Sequence, residues 1–277
     1  MNPVEKVPLV NVISIIIVMI LAIAIPVMTF IILRKKLNGK TKSFFVGCGV
    51  FLVFALILEQ VFKLPFYLNE ACLNFFNKNL LISSLFGALL AGLFEEFGRF
   101  TAFKTILKKD LNDDFQSFMY GAGHAGMEII AILFVSMVSN LYYSILINSG
   151  NINTLLSNSG GATAHAILLI KSQLINTKFY VFYLSIFERL FAFISHISFS
   201  VIVWFACKNK KDWFYLPIAI FLHAGLDFVS VILSSMSYPV WLIELFILLI
   251  SVLNAIFAYF TWKSKHSKPK VMEVEEA

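Results

Sequence analysis

Seven runs of apolar residues, at 7–33, 44–62, 80–103, 115–138, 179–207, 213–233 and 239–262, constrain this chain more than anything else in it. A helix needs ~20 such residues to cross a hydrocarbon core. In lipid, only helices and closed barrels satisfy their backbone hydrogen bonds internally. These runs are continuous rather than alternating, and far longer than the ~10-residue strand of a barrel. The expected fold class is all-α: a polytopic bundle of about seven transmembrane helices in the cell membrane. Only 14% of the residues are charged and 59% are hydrophobic, against about 25% charged in soluble domains, which excludes that class.

The organisation follows from the charges between the runs. Connections at 34–42, 104–109, 208–211 and 263–270 hold fifteen lysines and arginines, and the opposite connections hold five. That alternation predicts the N-terminus outside and the C-terminus inside. The net charge of +6 is thus an orientation signal, and no nucleic-acid partner is expected. Ala22-Ile23-Ala24 resembles a signal-peptidase site, but the apolar stretch continues to Leu33 and the positive charge follows it. A signal peptide has the reverse order, so a retained span is expected. Residues 1–265 read as a single transmembrane domain and 266–277 as a polar cytoplasmic tail. The segment 139–178 reads as a long outer connection, with an interfacial or re-entrant helix at 164–175. Cys48, Cys72 and Cys207 are widely spaced, which gives neither a disulfide framework nor a zinc motif.

Four of the runs carry groups that lipid solvates poorly. Glu95, Glu96 and Arg99 lie in the third, His124 and Glu128 in the fourth, Glu188, Arg189 and His196 in the fifth, and His223 and Asp227 in the sixth. Each charge facing lipid at the bilayer centre costs ~3 kcal/mol on insertion scales, so the groups are expected to meet one another. Counting ~1.5 Å per residue from the lysine-rich ends puts Glu95, Glu96, His124, His196 and His223 at one depth, roughly 10–17 Å down. His124 and Glu128 are four apart, as are His223 and Asp227, so each pair shares a helix face. Glu95 and Glu96 point about 100° apart. Arg99 can reach either; it is expected to hold one ionised while the other faces the reacting centre.

Histidines and a carboxylate on adjacent helices suit a zinc ion. A further glutamate that activates a water completes the logic of a metallopeptidase. A metal-free glutamate base acting on a histidine-oriented water remains an alternative. The Tyr120-to-Gly126 stretch, with glycines at 121, 123 and 126, offers a small-residue surface for close helix approach.

The motifs Glu-Glu-x-x-Arg at 95–99, Gly-x-Gly-His-x-x-x-Glu at 121–128, Glu-Arg at 188–189 with His196, and His-x-x-x-Asp at 223–227 together resemble the YhfC-type intramembrane metalloproteases. More distantly they are similar to the CAAX-prenyl-protease and bacteriocin-processing (Abi) membrane proteases. There the arginine stands three intervening residues after the glutamates; here two intervene. The resemblance implies a catalytic acid at Glu95 or Glu96, with His124, His223 and Asp227 as metal ligands or water-holders. It implies one divalent ion, zinc first, and a membrane-associated peptide or protein substrate cut near the cytoplasmic side.

Two other classes compete. A proton- or ion-coupled transporter also lines its path with acids and histidines, and an immunity or assembly factor on a protease-like scaffold would keep the same helices. Glu59 and Glu244 read as lacking partners in their own segments and as lying outside the site. His165 and His266 read as loop and tail residues. Glu188 and Arg189 read as a charge-neutralising pair between helices, with a catalytic role also open.

Overall fold

The computed structural model describes residues 6–236 and 238–266. Helix α1 spans Leu9–Lys36, α2 Thr41–Leu68, α3 Glu70–Lys78, α4 Leu80–Lys104 and α5 Gln116–Ser149. They are followed by α6 at Ile152–Ser157, α7 at Gly161–Asn176, α8 at Phe179–Lys208, α9 at Tyr215–Ser235 and α10 at Val240–Lys265. There is no strand among the described residues. Seven of these helices are long and apolar enough to cross a membrane, as the sequence predicts. The expected tail lies outside the described residues apart from His266.

Helix α8 is the axis of the bundle. Its most apolar stretch is 78% buried, against at most 39% for any other span. It packs on α10, α5, α4, α9 and α1. Helix α2 lies against α5, and α4 against α9. The close approach of α2 to α5 depends on glycine. A Cβ on Gly123 would stand 1.9 Å from the Phe44 carbonyl oxygen, and one on Gly47 2.2 Å from that of Tyr120. The other two glycines of the predicted surface meet other helices, Gly121 at α8 and Gly126 at Pro26 of α1.

The fourth span differs from expectation. It does not stop at Val138 but continues to Ser149, and much of the predicted outer loop is helical. Ser139 and Asn140 are polar without breaking a helix. The stop comes at Gly150, whose φ of 80° supplies the left-handed cap. Helix α7 covers the segment expected to hold a short helix.

The four lysine-rich connections meet at one end of the bundle. Lys40 and Lys42 pair with Asp110, Lys265 with Asp212, and Lys208 with Asp114. Asp114 also accepts from the Trp204 indole at 3.1 Å and from His266 Nδ1 at 2.9 Å. His266, expected as a bland tail residue, stacks on Trp262 and closes this end.

Candidate active site

Ten side chains were singled out from the sequence. The bundle brings them together from α4, α5, α8 and α9. Glu95, Glu96, Arg99, His124, Glu128, His196 and His223 are all at most 8% exposed. Asp227, Glu188 and Arg189 line the adjoining cavity of about 250 Å³.

Glu95 Oε2 is the hub. His124 Nε2 lies 2.8 Å from it, and His196 Nδ1 and His223 Nε2 each lie 3.9 Å away. Three imidazoles from three helices therefore surround one carboxylate oxygen. Glu96 points elsewhere, as the 100° offset requires. The Arg99 guanidinium donates to both of its oxygens, and His223 Nδ1 donates to Oε1 at 2.8 Å. The ambiguity over which glutamate the arginine holds is thus resolved in favour of Glu96.

His196 and His223 are each oriented by what the other ring nitrogen meets. His196 Nε2 lies 2.6 Å from Glu128 Oε2. Arg99 Nη2 lies 3.3 Å from its Nδ1. These partners assign the hydrogen to Nε2, and the Nδ1 lone pair accepts from Arg99, with Glu95 Oε2 3.9 Å away. His223, with Nδ1–H committed to Glu96, presents Nε2 to Glu95 and, at 3.6 Å, to Asp227 Oδ2. His124 Nδ1 is buried without a hydrogen-bond partner. Arg189 bridges Glu128 at 2.7 Å and Glu188 at 2.5 Å, so it links the site to the neutralising pair read from the sequence.

The donor set suits a divalent ion. One ligand atom from each of Glu95, His124 and His196 lies within 4.8 Å of the others, all three residues buried. Two imidazoles and one carboxylate form a donor set of catalytic zinc. Glu128 behind His196 is the carboxylate that such a ligand usually has behind it. The expected trio of His124, His223 and Asp227 differs from this closest set in two members. Helix α8 turns His196 inward from between Arg99 and Glu128, while His223 gives one nitrogen to Glu96. Asp227 stands one turn further along α9.

Glu59 corrects another expectation. It has a partner in its own helix, Lys63 one turn on, and it lines the same cavity as Glu95. The i, i+4 Glu–Lys spacing was the signal that could have found it. Glu244 is buried, with Oε2 unpartnered, and does not line that cavity.

The sequence model of a family described as YhfC intramembrane metalloprotease matches residues 21–247. The chain is 34% identical over 205 residues to a Bacillus subtilis (strain 168) protein named "Uncharacterized membrane protein YhfC", covering 74% of this chain and 78% of that one. No solved structure matches. The matched region takes in all ten site residues, and the chain belongs to the YhfC intramembrane metalloprotease family.

Proposed function

We propose that the chain is an intramembrane peptidase that hydrolyses a peptide bond of a membrane-associated peptide or protein. The observation that carries this reading is the crowding of His124, His196 and His223 around Glu95 Oε2 at the end of a polar cavity. The lysine-rich end is assigned to the cytoplasm by the positive-inside rule. Glu95, nine residues before Lys104, then lies about 14 Å beneath that face.

Glu95 takes a proton from the attacking water as oxygen adds to the scissile carbonyl carbon. It returns that proton to the departing amine when the C–N bond breaks. His223, fixed through Nδ1 by Glu96, aims Nε2 at the reacting group and stabilises charge that develops there. Asp227 faces the same nitrogen and holds it in place. Glu128 orients His196, and Arg189 positions Glu128. One divalent ion, zinc by donor chemistry, would be held by His124 and His196 beside Glu95, whose carboxylate stays free as the base; such an ion would supply polarisation of a carbonyl oxygen and acidification of a water.

The test combines metal analysis with cleavage. Purified protein is expected to hold about one metal ion per chain by mass spectrometry, and the His124→Ala/His196→Ala double variant none. In proteoliposomes, a quenched-fluorescent library of single-span peptides should be cut. Glu95→Gln should slow cutting at least ~100-fold, the loss typical of a missing general base. Cutting that survives Glu95→Gln overturns the reading. Solute uptake without cleavage, lost in His124→Ala, would select the transporter class instead.

A further inference from the structure

The cavity lies on one side of the histidines only. On α4 its wall is Ala91, before Glu95; on α8 it is Ala192, before His196. On α5 it is Ile132, after His124, and on α9 Ser230, after His223. Neighbouring spans run in opposite directions, so "before" on α4 and α8 and "after" on α5 and α9 are one direction. That direction leads away from the lysine-rich connections. Toward those connections the interior is closed by Arg99, Phe103, Tyr120, Phe199 and Trp204, each 0% exposed.

A second cavity of about 360 Å³ continues the first. The two share Ala91, Arg189, Asp227 and Ser230. Its α4 wall is made of Ser83, Ser84, Gly87, Ala88 and Ala91, with Lys63 of α2 alongside. Ser84, Gly87, Ala88, Ala91 and Glu95 recur at three- and four-residue steps, so they form one helix face that ends on the hub carboxylate. Small residues alone make no site, but Ser84 Oγ is a second observation. It lines this groove, is 6% exposed and has no hydrogen-bond partner. A buried hydroxyl without a partner costs ~1–3 kcal/mol, a cost relieved by a peptide group brought alongside. A Cβ on Gly87 would meet nothing within 4 Å, so the groove is open there.

We infer that the site is entered from the face opposite the lysine-rich connections, and that the groove along α4 takes an extended polypeptide segment running from Ser84 to Glu95. Those eleven residues of helix rise about 16 Å, which an extended chain at ~3.3 Å per residue crosses in about five residues. A membrane-spanning substrate that runs extended along this face must unwind before cleavage. The polypeptide part of this inference rests on the peptidase reading; the direction of access does not.

Thiol labelling tests the direction without reference to activity. Cys48 and Cys207 are buried, so Cys72→Ser gives a silent background. Gly87→Cys, Ser230→Cys and, as the opposite-face control, the exposed Ile106→Cys are treated with a membrane-impermeant maleimide in right-side-out and inside-out vesicles. Gly87→Cys and Ser230→Cys are expected to react from the side where Ile106→Cys does not. Reaction from the same side as Ile106→Cys, or from neither side while Ile106→Cys reacts, overturns the inference. For the occupant, Gly87→Phe should cut cleavage of the single-span peptides at least tenfold with metal content unchanged, and Gly87→Ala should not. Equal cleavage by Gly87→Phe and wild type refutes the groove. Absence of cleavage in wild type refutes the peptidase reading and leaves the labelling result standing.

Discussion

Glu95 and Glu96 are neighbours in the chain with opposite structural duties, and the difference is measurable. Glu96 is the counter-ion of Arg99, and both are 0% exposed. Removing its charge strands a buried guanidinium, which typically costs about 3–5 kcal/mol. Glu95 faces only imidazoles and the cavity, and neutralising it strands no cation. Glu96→Gln is therefore expected to lower the thermal midpoint in detergent by many degrees, and Glu95→Gln to leave it nearly unchanged while slowing cleavage at least ~100-fold. Equal midpoints for the two variants would mean that Arg99 has another partner. At this scale the sequence was informative up to a point. The polarity of ten residues inside apolar runs showed that they must gather. Arginine at three and four residues from the two glutamates could not show which it grips. That choice was made by His223, a residue 127 positions from Glu96.

At the scale of helices, glycine decides which spans can touch. Gly123 and Gly47 let α5 and α2 approach until a Cβ would meet backbone rather than a movable side chain. Gly123→Ala must push the two helices apart, one residue from His124, and overpacking of this kind costs about 1–3 kcal/mol. It is expected to lower both the thermal midpoint and the metal content. Gly49→Ala, on the same helix α2 with nothing within 4 Å of the added carbon, should change neither. A Gly123→Ala protein with full metal content would show that the contact does not set the histidine's position. The sequence located this small-residue surface but not its partners, because periodicity gives a face and not what lies against it. Polar residues without a breaker likewise hid the last turns of α5, and both α2 and α5 carry π-helical turns beside the cavity, at Phe51–Leu58 and Ile129–Phe134. Such turns are frequent at functional sites, and no composition signal marks them.

For the molecule as a whole, the lysine-rich end acts as a clasp as well as an orientation signal. The alternation of charged connections was legible because it needs only counting. The acids that meet those lysines, Asp110, Asp114 and Asp212, were not, because they sit in the same connections and vanish into a net charge. Lys40 and Lys42 hold the Asp110 carboxyl below its usual range, although burial opposes this, and the Asp110 hydrogen bond raises Lys40. A depressed carboxylate contributes stability that is present above its unfolded pKa of ~3.9 and is lost as pH falls through its folded value. A raised lysine contributes stability that is present below ~10.4 and is lost as pH climbs through its folded value. The pair is thus fully engaged between about pH 5 and pH 10. Lys40 is half-exposed, so solvent screening limits the effect to about 1 kcal/mol or less. Asp110→Asn is expected to lower the thermal midpoint by a small, constant amount across that window. The gap from wild type should close as pH falls through the native value of Asp110. A gap that widens below pH 4 would overturn the assignment of this acid sensitivity to Asp110.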